Sequence, residues 1–248
     1  MPNLPAHINL AMQTAEVLQH PNLQDHLGYF LLGSTSPDIR VITRQGREMY
    51  HFTDLDFQHV GTGVETMFGA HPELKETNAL DGPTRAFVAG YITHLLADES
   101  YIFHLFRPYF GNRDVFEDAT TGRMLDRALQ LDLDREVYQR VGSWMEDVEF
   151  APERVNVEFL ELEPLSKWRD WVIEVVSREF SWDRLRYMAR RIAAGDADHP
   201  ADDLVNDFLE RMPQSLDQIY DVVPRDTVDD FKTRAVDSLV NAVAEYLD

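Results

Sequence analysis

The sequence predicts an all-α fold arranged as a single multi-helix domain, and three observations carry that reading. Apolar residues recur at intervals of three and four, as in Leu204, Phe208 and Met212, or Val236, Leu239, Val240 and Val243. Sustained period-two alternation is missing, with Val155 to Leu162 the one strand-like stretch. Helix start and stop residues fall at helix-length intervals, among them Pro5, Gly33, Pro108 and Gly111. At 248 residues the chain is near the upper end for one domain and can bury a sizeable core.

Taken in order, Pro5 to about Gln19 forms a first helix, with Asn3 as its cap and Pro5 in its first turn, which puts His7 in that turn. A second helix runs from about Asn22 to Leu32 and stops at Gly33. The breaker-rich run Ser34-Thr35-Ser36-Pro37-Asp38 then delivers Asp38 in a loop. Ile39 to Asp56 has neither period and reads as an ordered loop carrying Arg40, Arg44, Arg47 and His51. Phe57 to Phe68 is a short helix, and Thr84 to about Tyr109 is the central one, closed by Pro108 and Gly111. Beyond it, helices are expected over Thr121 to Leu131, Asp134 to Val148, Ser166 to Phe180, Asp183 to Ala194, Asp202 to Val222 and Thr227 to Leu247. The polar stretch from Gly195 to Pro200 reads as a surface turn within the domain.

The central helix contains His94-x3-Asp98-x5-His104 within an otherwise apolar segment. Burying a carboxylate and imidazoles there costs desolvation that a partner must offset. At about 100° per residue, Asp98 lies about 40° from His94 and His104 about 80° to the other side, so the three share a face. A divalent metal suits such a set, because neutral imidazole and carboxylate match zinc and its neighbours. A polar helix interface with hydrogen-bonded histidines satisfies the same pattern.

There is no cysteine, so His, Asp and Glu are the strong ligands available. The formal charge of -21 argues against an exposed nucleic-acid surface, since phosphate backbones are bound through Lys and Arg. The N-terminus has no basic and apolar leader, and no segment approaches the length of a membrane span. These features predict a soluble, cytoplasmic protein with no stable membrane anchoring.

His7, then Ser36-Pro37-Asp38, then His51, then His94-x3-Asp98-x5-His104, resemble in order and spacing the zinc-dependent phospholipase C and single-strand nuclease superfamily. The resemblance covers residues 1–111, the metal-site half, and leaves 112–248 as a helical remainder that could cover a substrate. It implies an all-helical domain with its metal site between N-terminal helices, loop and central helix. It further implies that Asp38, His51, His94 and Asp98 hold one zinc or other divalent ion. Asp98 would bridge to a second ion that His7 also binds, and His104 would belong to a third. Secreted members also use the amine and carbonyl of an N-terminal tryptophan, where this chain begins Met1-Pro2. They complete the third site with a further His-x3-Glu or His-x3-Asp. Here the next acids are Glu117, Asp118 and Asp126, with no histidine before His199. Two or three ions are therefore expected, with Asp118 a third-site candidate.

The resemblance implies phosphoester hydrolysis, with Asp38 both ligand and general base. Arg40, Arg44 and Arg47 could hold a phosphate oxygen. The acidic surface predicts a small or zwitterionic phosphate ester as the substrate rather than nucleic acid or an anionic bilayer. Two alternatives stand beside this reading. One is a non-catalytic helical protein retaining one structural metal or none. The other is an HD-type phosphohydrolase, whose adjacent His-Asp pair this chain lacks.

Overall fold

The computed structural model describes residues 1–116, 118–148, 152–192 and 200–248, and among them every regular element is helical. The elements are α1 (Leu4–Leu18), α2 (Pro21–Asp25), α3 (Leu27–Gly33), α4 (Arg40–Thr43), α5 (Glu48–His51), α6 (Thr62–Ala70), α7 (Gly82–Tyr101), α8 (Ala119–Val148), α9 (Leu162–Ser177), α10 (Arg184–Ile192), α11 (Ala201–Glu210), α12 (Leu216–Val222) and α13 (Arg225–Leu247). A 3₁₀ turn covers Ser36–Ile39, and a π-helix over Ile102–Phe110 extends α7. No helix of the described residues is long and apolar enough to cross a membrane.

The architecture is organised around α7. Its N-cap is Asp81, whose carboxylate accepts from the Thr84 amide at 2.8 Å, with Pro83 in the first turn. From Ala86 to Tyr101 every residue is buried, so this helix lies inside a ring formed by α1, α3, α6 and α13. Glycine decides how close α3 can come. A Cβ on Gly33 would lie 2.0 Å from the Phe87 carbonyl oxygen, and one on Gly90 would lie 1.9 Å from that of Phe30. The two helices therefore touch backbone to backbone. This contact sets the Ser34 carbonyl directly against α7, one turn beyond Gly90.

Several boundaries differ from the sequence expectation, each for a tertiary reason. The expected helix from Asn22 is split at His26, whose ring packs where a Gly82 Cβ would stand and whose φ is -133°. Arg40–Thr43 and Glu48–His51 are single helical turns inside the expected loop, ended by left-handed residues Arg44 and Phe52. The two helices expected over Thr121 to Val148 are one. Asp132 and Asp134 do not interrupt it because Tyr220 and Arg135 satisfy the first and Asn3 bonds one oxygen of the second. Conversely, Pro213 divides the expected Asp202 to Val222 helix into α11 and α12. Val155 to Leu162 is not a strand. Its Phe159 packs against Phe52, His71 and Tyr91, which explains the apolar run. Most of the expected Gly195 to Pro200 turn, with His199, lies outside the described residues.

Candidate metal centre

Four separate elements bring polar side chains to one buried point against α7. His7 comes from α1, Asp38 from the Ser36–Ile39 turn, His51 from the last position of α5, and His94 and Asp98 from successive turns of α7. His7 Nε2 lies 3.3 Å from Asp98 Oδ1, while His51 Nε2 and His94 Nε2 lie 3.2 and 3.8 Å from Oδ2. His51 Nε2 is also 3.8 Å from Asp38 Oδ1. The His7 and His94 rings stack at 3.8 Å. His94 Nδ1 bonds the Ser34 carbonyl at 2.9 Å, so the α3–α7 contact orients the ring and leaves Nε2 facing the cluster. The Tyr91 hydroxyl donates to the Tyr50 carbonyl at 2.5 Å, which anchors the turn ending in His51.

Electrostatically, His94 and Asp98 are held in the protonation states that a metal requires. Burial, reinforced by His7 and His51, pulls His94 well below its usual pKa, with Asp98 and the Ser34 carbonyl opposing, so its imidazole is neutral. Burial works to raise the Asp98 carboxyl, but His51, His7, His94 and Arg47 prevail and hold it well below the usual range. His7 Nε2, His94 Nε2, both His51 ring nitrogens and Asp98 Oδ1 are buried without a hydrogen-bond partner. Orphaned donors and acceptors at this density need an occupant. Zinc bound tetrahedrally at about 2.0–2.2 Å separates its ligand atoms by roughly 3.3–3.6 Å. The observed separations of 3.2–3.8 Å fit it. His7, His94 and Asp98 form one possible ligand triad, and Asp38, His51 and His94 another.

The remaining sequence candidates go elsewhere. Arg47 enters the cluster itself, its Nη2 3.0 Å from Asp98 Oδ2, and neutralises that carboxylate. Arg40 and Arg44 stay on the outer side of the α4 turn, half-buried and exposed respectively, with no contact to the cluster among the described residues. His104 is not brought to it. It is exposed and lines a separate cleft with Asp230 and Arg234 of α13. Sharing a helical face was not enough, because ten residues advance about 15 Å along the axis. The π-helix after Tyr101 also turns the face away.

Asp118 is an exposed helix cap rather than a ligand. Its carboxylate accepts from the Thr120 and Thr121 amides at 2.9 Å, and these bonds lower it to about 2. Asp126 is satisfied by Tyr101 and Gln130 at 2.8 Å each, and Glu117 lies outside the described residues.

Two features escaped the sequence reading. The Met1 α-amine turns inward. Burial chiefly lowers it to about 5, with Asp126 and Asp98 opposing. The other is a cavity of about 590 Å³ that shares Asp38 with the cluster and is otherwise walled largely by α9 and α10. Asp38 keeps a quarter of its side chain exposed where His51 keeps none, so it stands between the cluster and this cavity. Neither signal was legible in sequence, since both depend on which distant segments meet.

Comparison with known proteins gives a single line of relationship. The family model described as zinc dependent phospholipase C matches residues 6–127. No curated protein and no solved structure matches. The matched segment contains His7, Asp38, His51, His94 and Asp98, the whole cluster, and over that segment the chain is similar to the zinc dependent phospholipase C family.

Proposed function

We propose that this protein is a zinc-dependent phosphoester hydrolase acting on phosphodiesters of small alcohols. His7, Asp38, His51, His94 and Asp98 would hold the metal. The observation that carries the reading is the position of Asp38, which belongs both to the buried cluster and to the wall of a ligand-sized cavity. When bound, zinc supplies Lewis-acid polarisation of a phosphoryl oxygen and makes a water acidic near neutral pH.

The chain's own residues supply the rest. The Ser34 carbonyl fixes the His94 tautomer, and Arg47 offsets the charge of Asp98. The Asp38 carboxylate takes a proton from the attacking water as its oxygen bonds to phosphorus. The phosphorus–oxygen ester bond then breaks, and the departing alkoxide takes a proton from solvent. His94 has one free nitrogen, and both triads require it. His94 would therefore serve one ion, and His7 with Asp98 would hold a second.

The test is hydrolysis by zinc-replete protein of bis(4-nitrophenyl) phosphate, a phosphocholine ester, anionic vesicles and single-stranded DNA. Soluble diesters should be cleaved, and Asp38→Asn should lower the rate at least about 100-fold. Inactivity on all four substrates would overturn the reading. Preference for DNA or vesicles at low salt would overturn the substrate assignment.

A further inference from the structure

Resting on that reading, we propose that the cavity beside Asp38 receives the alcohol half of the ester, and that this alcohol joins an aromatic or short apolar body to a second anionic group held by Arg184. Apart from Asp38 and Val41, the residues that line the cavity lie outside the matched family segment, and most of them come from this chain's second half. Trp168 and Trp171 of α9 stack at 4.9 Å and line the cavity together with Val41 and Met188. Trp168 is held in register with the Asp38 turn, because its Nε1 donates to Thr35 Oγ1 at 3.2 Å. The wall and the proposed base therefore keep a fixed separation.

Arg184 brings a cation to the cavity, whose lining also carries Arg178 and Arg191 and the carboxylates Asp38, Asp134 and Asp183. Its guanidinium lies 4.8 Å over the Tyr138 ring and donates to the Tyr138 hydroxyl and, at 3.2 Å, to the Val175 carbonyl. No carboxylate lies within 4.0 Å of it among the described residues. In a chain of formal charge -21, an arginine left half-buried with neutral partners is a cation available to a ligand. Asp134 lines the same cavity, 1 % exposed. Its Oδ2 accepts from Asn3 Nδ2 at 2.9 Å, while its Oδ1 has no hydrogen-bond partner and can receive a ligand hydroxyl. A volume of about 590 Å³ suits one aromatic or short-chain alcohol and is too small for two long acyl chains.

The experiment is titration calorimetry of the full-length, zinc-replete protein with 6-hydroxy-2-naphthoate and with 2-naphthol, which differ only in the anion. The naphthoate should bind at least tenfold more tightly. Arg184→Gln should erase that preference without changing 2-naphthol binding or zinc content, and Val41→Trp, which fills the cavity, should weaken both ligands at least tenfold. Thermal melts establish that each variant is folded, and Val41→Trp alone decides the matter if Arg184→Gln is not. Four outcomes would overturn the proposal: equal affinities in the wild type, no naphthoate binding at millimolar concentration, a naphthoate preference that survives in folded Arg184→Gln, or unweakened binding of both ligands by folded Val41→Trp. Binding is read without turnover. Failure here with hydrolysis intact refutes only the subsite, and loss of hydrolysis with binding intact refutes only the catalytic reading.

Discussion

Replacing Asp98 by Asn tests the cluster most directly, because it removes one charge from a residue that three histidines and an arginine share while nearly preserving volume. In chelator-treated protein, the relevant partner is Arg47, 3.0 Å from Oδ2, with the two side chains only 10 % and 2 % exposed. Breaking such a buried pair on one side costs about 3–5 kcal/mol, since the surviving charge has no water to return to. For a domain of this size, each kcal/mol shifts Tm by about 2–4 °C, so Asp98→Asn should melt roughly 6–20 °C below wild type. The double variant Asp98→Asn/Arg47→Met should recover part of the loss, with a coupling energy of at least about 1 kcal/mol in a double-mutant cycle. The assay is thermal unfolding by circular dichroism without metal, followed by elemental analysis after zinc loading. Asp98→Asn should then retain less than half of the wild-type zinc. A metal-free Tm within 2 °C of wild type, or full zinc content, would refute the shared-carboxylate reasoning.

Three other outcomes are expected. His7→Ala should lose one zinc equivalent while the Asp38, His51 and His94 triad stays filled, as read by elemental analysis; unchanged zinc would make His7 a packing residue. Gly90→Ala should lower stability by about 1–3 kcal/mol or more in denaturant unfolding, because the new Cβ meets the Phe30 carbonyl at 1.9 Å; a loss below about 1 kcal/mol would mean that α3 and α7 can separate. Asp134 is raised to about 7 by burial, against the pull of Asn3, the Ala6 amide and Arg184. Its folded state therefore holds a proton that the unfolded chain releases near pH 4, so stability falls as pH rises from about 4 to 7, by up to about 4 kcal/mol. Asp134→Asn should remove that slope from the pH dependence of unfolding.

The helical class, the centrality of the segment around His94 and the family resemblance were legible in the chain, because the signals are local. Periodicity marks helices, and a carboxylate with an imidazole one turn away in an apolar segment marks a burial that needs a partner. The same local logic misplaced His104, since angle around a helix says nothing of distance along it. It also split α8 at Asp132 and Asp134, two carboxylates whose partners Tyr220 and Asn3 lie far off in sequence.

What the sequence by itself determined is a set of ligand types in an order that fits zinc on a helical frame. Tertiary structure alone decided which of them meet. Gly33 and Gly90 let two backbones touch and so aim His94, and the short α5 carries His51 to Asp98 with Arg47 just before it. The second half of the chain folds back to place Trp168 and Arg184 around the cavity that Asp38 opens onto. Such convergence depends on packing between segments separated by as much as 133 residues, as for Trp168 and Thr35. No local pattern encodes it, because burial and charge pairing are properties of neighbours in space.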